Sequence, residues 1–313
     1  MEGGRDISVK IAGIKFPNPL ILASGIADET GLSMASAVSS GAGGVVTKSL
    51  GLYPRDGHPN PVIVDLPEGM INAMGLPNPG IDEYAEEIEI YRRETGGTNP
   101  IIASVFGSSI GEYAEASRKV ADLGVDAVEI NGSCPNAKGL GMEFGQDPDV
   151  IRELVEAVKD GVDVPVFFKL TPNTSDIVSL ALAARDGGAD GLVAINTIKA
   201  MAIDVHTARP ILTNVTGGLS GPAVRSVGVR CVYEIGKCRY IDIPIIGVGG
   251  ITSWEDAVEY ILAGASAVQI GTAVKWHNLA VFSKVSRGIE GYMDHHGFAT
   301  LEDIIGLTHR RWK

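Results

Sequence analysis

The sequence predicts an α/β fold, a (β/α)8 TIM barrel with inserted loops at the C-terminal face of the strands. Three observations predict it. Short β-branched runs recur along the 313 residues, stretches with apolar residues near helical spacing lie between them, and polar residues or glycines stand where the runs end. Repeated strand-helix units build a parallel sheet, and eight of them favour closure over an open doubly wound sheet. Chains of this length routinely form one barrel, so a single domain over residues 1–313 is expected.

The eight runs are PLILASG (19–25), GGVVTKS (43–49), PIIASVFG (100–107), AVEINGS (127–133), VPVFFKL (164–170), GLVAINT (191–197), IPIIGVGG (243–250) and AVQIGTA (267–273). Several are near-continuous apolar segments, as strands covered on both faces should be. Between them, SIGEYAEASRKVADLG, PDVIRELVEAVKDG, TSDIVSLALAARDGG and SWEDAVEYILAGA carry helical spacing and end close to glycine, which marks them as crossover helices. Two connections exceed a minimal unit, residues 50–80 after the second run and 198–222 after the sixth. Both leave strand C-terminal ends, the face where barrel active sites sit, so they read as a lid or pocket wall; tolerated surface decoration is the alternative.

The strand ends point to one mouth through Ser24, Lys48, Ser104, Asn131, Lys169 and Asn196, followed by Gly249 with Gly250 and Gly271 with Thr272. The last two pairs close strands seven and eight, where barrels commonly hold a phosphate on backbone N–H groups and a helix N-terminus. Glycine lets the anion approach the main chain. Lys48 in VVTKS and Lys169 in VFFKL each follow apolar residues at a strand end. A lysine there can simply reach solvent. Two in one mouth, with no matching carboxylate pair nearby in sequence, read instead as serving an anionic ligand or an anionic reduced cofactor. In EINGSCPNAKG, Asn131, Ser133, Cys134 and Asn136 fall in a turn governed by Pro135. An unperturbed thiol titrates near pH ~8.5, close enough to neutrality for proton abstraction once positioned and desolvated. On spacing alone, a small buried residue remains the plainer reading of Cys134.

Composition narrows the class further. With 45% hydrophobic and 20% charged residues the chain can bury a large core and shows no sign of disorder. A formal charge of -12 argues against a surface for nucleic acid. No run approaches the ~18 apolar residues of a membrane span, and the start MEGGRDISVK lacks the apolar core of a signal peptide, so a soluble, cytoplasmic chain is expected. The three cysteines, Cys134, Cys231 and Cys238, form neither a disulfide framework nor a metal or redox pair, and no metal site is expected. Cys231 and Cys238 in RCVYEIGKC have a spacing that suits one helical face, and read as small buried residues.

Taken together, SCPN at 133–136, NAMGLPNPG at 72–80, NTIKAMAID at 196–204 and TGGLSGPA at 216–223 resemble dihydroorotate dehydrogenase, and the likeness runs over nearly the whole chain. Such strings in order on predicted strand ends are far more specific than one short motif. The resemblance implies oxidation of dihydroorotate to orotate in pyrimidine biosynthesis, with Cys134 taking the C5 proton while hydride passes from C6 to FMN. A thiol where the membrane-bound, quinone-linked class has serine implies the soluble class 1. FMN contacts are implied at Ala23, Ser24, Lys48, Ser49, Ser104, Asn131, Lys169, Ile195, Gly221, Gly249, Gly250, Gly271 and Thr272. Substrate contacts are implied at Lys48, Asn72, Ala73, Met74, Gly75, Leu76, Asn131, Asn136, Asn196 and Thr197. Lys169 is implied to neutralise charge on the reduced flavin. Two positions depart from the pattern: Ser104 stands where related sequences often have Asn, weakening one flavin hydrogen bond, and Gly132 replaces a larger residue, loosening the turn.

NTIKAMAID and the loop after it look most like class 1B, whose catalytic subunit passes electrons to NAD through a separate subunit carrying FAD and an iron-sulfur cluster. The cysteines here are too few for that cluster, so FAD and the cluster are expected on a partner, in a heterotetramer around a homodimer. A stand-alone fumarate-linked enzyme is the nearest alternative. A flavin oxidoreductase for another dihydropyrimidine, or a barrel that binds FMN without turnover, are the others.

Overall fold

The computed structural model describes residues 5–132 and 144–311. Eight strands close into a barrel: β1 Leu20–Leu22, β2 Gly44–Val46, β3 Ile101–Val105, β4 Ala127–Asn131, β5 Val166–Leu170, β6 Gly191–Ala194, β7 Ile245–Val248 and β8 Ala267–Ile270. Each pairs in parallel with the next in chain order, and β8 pairs with β1. The (β/α)8 TIM barrel that the sequence predicts is the fold that forms.

Every predicted run contains one barrel strand, yet most strands stop short of the predicted C-terminal boundary. The first run extends to Gly25 while β1 ends at Leu22, and the sixth extends to Thr197 while β6 ends at Ala194. Ser24, Lys48, Ser49 and Asn196 lie past the ladder, where their polar groups bond across the mouth.

The helices are α1 Gly31–Ser39, α2 Ile81–Thr95, α3 Ile110–Asp122, α4 Pro148–Lys159, α5 Ile177–Asp186, α6 Arg225–Lys237, α7 Trp254–Ala263, α8 Ala273–His277, α9 Ala280–His296 and α10 Leu307–Arg311. The four predicted crossovers are α3, α4, α5 and α7. Local chemistry starts each: Ser109, Asp147 and Asp176 accept from first-turn N–H groups, Pro148 pre-sets the first turn of α4, and Ser253 with Asp256 forms a capping box. Helix α4 buries Ile151, Leu154, Val155 and Val158 as one stripe against the barrel.

The expectation for the two spaced cysteines holds for one of them. Cys231 is buried within α6, but Cys238 is the extended C-cap just beyond Lys237 and is half-buried. A seven-residue spacing aligns two side chains only while the helix lasts.

At the strand N-terminal end, the hairpin Val9–Ile11 with Ile14–Phe16 packs Phe16 on Gly44, whose hydrogen leaves room for the ring: a β-carbon there would lie 2.8 Å from it. At the opposite end the two long connections pair with each other. Ile63–Leu66 and Gly69–Asn72 join Gly217–Ser220 and Ile198–Ala200 in one four-stranded antiparallel sheet. Val64, Ile71, Ala73 and Leu212 form its own small core. The two insertions are thus one packed wall and not separate surface loops. No helix among the described residues is long and apolar enough to cross a membrane.

Candidate active site

A chain of neutral polar side chains runs around the mouth. The Ser49 hydroxyl, after β2, lies 2.8 Å from the Ser104 hydroxyl on β3 and 3.4 Å from the Ser24 hydroxyl after β1. It also accepts from Asn131 Nδ2 at 3.2 Å. Asn196 Nδ2 donates to Asn131 Oδ1 at 3.0 Å, and Asn196 Oδ1 accepts from the Thr197 N–H at 2.9 Å. Five strand ends are tied by hydroxyls and amides alone, and each bond orients the next. Ser104 therefore serves as a buried hydroxyl link where an amide was the expected residue.

Beneath that ring lies a charged floor. Asn131 and Lys169 are register partners on β4 and β5, and strand alternation places Glu129 and Phe167 one layer lower. Lys169 Nζ is 3.2 Å from Glu129 Oε1 and 3.5 Å from Gln269 Oε1, while Gln269 Nε2 donates to Glu129 Oε2 at 2.7 Å. Glu129 is fully buried and Lys169 is 6% exposed. Lys48 Nζ, at the rim, is 3.1 Å from Glu29 Oε1, a carboxylate open to solvent. Both lysines thus have a carboxylate partner in space, although none stands nearby in sequence. Glu129 reaches Lys169 from the neighbouring strand and Glu29 reaches Lys48 from the segment after β1, so sequence proximity was the wrong measure. Glu129 and Gln269 are the site residues that sequence reasoning missed. Their signal is the two-residue period, which puts Glu129 on the inward side with Asn131 and Gln269 with Gly271.

Glycines build the other side of the mouth. Gly249, Gly250 and Gly221 have φ of 131, 70 and 94, the left-handed region that favours glycine. A β-carbon on Gly250 would lie 2.7 Å from the Gly221 carbonyl and 2.9 Å from the Arg225 nitrogen, so the turn after β7 sits directly on the segment that opens α6. Ile195 N–H donates to the Val248 carbonyl at 2.9 Å, and Ala23 N–H to the Ile270 carbonyl at 2.9 Å, which sets Ile195 beside Gly249 and Ala23 beside Gly271. Thr272 Oγ1 is 2.9 Å from Ser220 Oγ. Among the described residues, no hydrogen bond engages the backbone N–H of Gly250, Gly271 or Thr272. Behind the turn, Asp256 pairs with Arg225. Burial pushes the Asp256 carboxyl up, but bonds from Thr252, Arg225 and Ser253 outweigh it and hold the group below the usual carboxylate range.

The wall adds the remaining groups. Asn72 Nδ2 lies 3.5 Å from the Gly218 carbonyl, and Gly218 has Thr197 packed where a side chain would stand. Asn72, Asn196 and Thr197 therefore converge. His58 anchors the loop after Asn72: its ring nitrogen is 3.0 Å from the Ala73 carbonyl and its N–H donates to the Met74 carbonyl at 2.9 Å. Ala73 turns its methyl into the wall's core, Met74 is exposed, and Gly75 and Leu76 take positive φ of 79 and 57. A groove of about 330 Å3 between Gly51–Arg55, Phe106–Ser108 and Glu112 opens beside these strand ends, and the sequence reading did not anticipate it.

Cys134 and Asn136 lie outside the described residues. Next to them, the Gly132 carbonyl accepts from Gly145 N–H at 2.8 Å, and a β-carbon on Gly132 would lie 2.8 Å from the Phe168 ring. The ring occupies the space a larger residue would need.

A profile of the family described as dihydroorotate dehydrogenase matches residues 6–293. The chain belongs to the dihydroorotate dehydrogenase family. It is 54% identical over 304 residues to the dihydroorotate dehydrogenase B (NAD(+)) catalytic subunit of Pyrococcus horikoshii, covering 97% of this chain and 98% of that one. The subunits of the same name from Methanocella arvoryzae and Thermoplasma acidophilum are each 50% identical, over 304 and 305 residues, again covering 97% of this chain, and 98% and 99% of theirs. Dihydroorotate dehydrogenases are FMN-dependent oxidoreductases, and this member sets two kinds of donor facing one mouth. The hydroxyl and amide chain with Lys169 suits the polar edge of a planar heterocycle. The main-chain N–H groups at Gly250, Gly271 and Thr272 suit a phosphate.

Proposed function

We propose that this chain is the catalytic subunit of a class 1B dihydroorotate dehydrogenase, oxidising dihydroorotate to orotate in pyrimidine biosynthesis. The observation that carries the reading is that Asn196 bonds Asn131, that Thr197 and Asn72 meet at Gly218, and that Lys169, the register partner of Asn131, holds a buried ammonium there. Four neutral groups with one cation recognise a planar ring that bears amides and gains negative charge.

The donor set fits FMN. Ala23, Ser24, Ser49, Ser104, Asn131 and Ile195 would line the isoalloxazine, and Gly221, Gly249, Gly250, Gly271 and Thr272 would hold the phosphate. Bound there, FMN would supply the hydride-accepting chemistry, with C6 of the substrate held against it. The protein's own groups do the rest. Asn72, Asn131, Asn136, Asn196 and Thr197 hold the pyrimidine edge, and residues 73–76 line its carboxylate end. Lys48 serves flavin and substrate together, and Lys169 balances the charge that reduction adds. Cys134 removes the C5 proton as general base.

A partner subunit carrying FAD and an iron-sulfur cluster would pass the electrons to NAD, in a cytoplasmic heterotetramer built on a homodimer. The relatives' printed names, which specify NAD(+) and a catalytic subunit, support this part.

Replacing Cys134 tests the chemistry. Cys134→Ala is expected to keep bound FMN and lose dihydroorotate turnover by about 10²- to 10⁴-fold, the scale of one general base. Full turnover in that variant would remove Cys134 from the mechanism. Purification from the native host with an iron and flavin assay tests the partner: FAD and iron co-eluting with this chain are expected, whereas turnover with fumarate by the chain alone would favour the stand-alone class.

A further inference from the structure

Barrel interiors are normally filled by branched apolar side chains, and a buried ion pair contributes little stability compared with such packing. This barrel nevertheless carries Lys169, Glu129 and Gln269 in contact, all buried, directly under the mouth. Among the described residues these two are the partners of the Lys169 ammonium, which has three donors, so one donor is left for what the mouth holds. Gln269 is oriented by both ends: its amide N–H donates to Glu129, and its carbonyl faces the ammonium.

We infer that Glu129 is a positioning residue for the flavin chemistry: its carboxylate holds Lys169 at the floor and offsets that cation, setting how strongly negative charge on the flavin is stabilised. The inference rests on the proposed FMN site. A carboxylate fixed one layer below the mouth acts against an anion above it through a poorly screened interior. Lys169 without it would present its full charge to the flavin, making the flavin easier to reduce.

Sulfite, which adds reversibly to oxidised flavins to give an anionic adduct, reads this directly by bleaching, and dye equilibration reads the midpoint potential. In the FMN-loaded chain, Glu129→Gln is expected to tighten sulfite binding by about tenfold and to raise the potential correspondingly, by about 30 mV for a two-electron couple. Gln269→Glu adds a second carboxylate to the same floor and is expected to shift both in the opposite direction. Glu129→Asp keeps the charge and should stay near the unmodified chain. Sulfite affinity and potential unchanged in both charge variants, or moved the same way by them, would overturn the inference, since general damage to the floor has no reason to invert its sign. Should Glu129→Gln fail to fold, the direction found with Gln269→Glu decides. An unmodified chain that retains no FMN would overturn the proposed site as well; retained FMN with unmoved variants overturns this inference alone.

Discussion

Lys169 and Lys48 occupy matching places, one near the end of β5 and the other just beyond β2, and both meet a carboxylate at about the same distance, 3.2 and 3.1 Å. Their surroundings differ completely. The Glu129 carboxylate is sealed in the barrel, while Glu29 is 73% exposed. A buried pair is fixed because neither charge can return to water without its partner, and removing one strands the other. A pair open to solvent is screened and holds its partners loosely. The floor of the mouth is therefore a permanent electrostatic element, and the rim pair is held loosely.

The sharpest test of that contrast is to remove each ammonium. Lys169→Met leaves Glu129 as an uncompensated buried charge and is expected to cost about 3–5 kcal/mol in denaturant unfolding. A loss below about 1 kcal/mol would place Lys169 with surface lysines and dissolve the distinction. Arg225 with Asp256 supplies an intermediate case, since the carboxylate is nearly buried and the guanidinium is 43% exposed. Asp256→Asn is expected to cost about 1.5–3 kcal/mol at neutral pH, the range for hydrogen bonds to a charged group. Because the folded-state carboxyl lies below its ordinary value, its contribution is fully present above pH ~4 and disappears as pH falls through the folded value. The unfolding curves of the variant and the unmodified chain should therefore converge in acid; a gap that persists below that range would assign the cost to packing. Smallest of all, Lys48→Met should change stability by about 0.2–1 kcal/mol. The same variant should weaken orotate binding in a fluorescence or absorbance titration, and unaltered affinity would remove Lys48 from the ligand's reach.

The two lysines also mark how far the sequence could be read. VVTKS and VFFKL are nearly interchangeable as strings, and both correctly place a lysine at a strand end. Nothing local distinguishes a lysine destined for a buried carboxylate from one left at the rim. The period-2 alternation of AVEINGS does place Glu129 on the inward side with Asn131, but its partner depends on which strand lies next to it in the ring. The polar residues at the strand ends were legible because each follows an apolar run. That Ser24, Ser49, Ser104, Asn131 and Asn196 form one bonded chain was not, because its links join residues 25 to 82 positions apart. Cys238 shows the same boundary at small scale: spacing aligned it with Cys231, and the end of α6 at Lys237 decided otherwise.

By itself, the sequence determined the eight strands, the capped crossover helices and the glycine turns after β7 and β8. These follow from side-chain period, cap chemistry and backbone freedom, all of which act over a few residues. Only the tertiary structure decided that the two long connections share a sheet, that the Phe168 ring fills the space beside Gly132, and that Lys169 meets Gln269 from 100 residues away. Closure of the barrel makes those contacts, and closure is a property of all eight strands together, written in no single one.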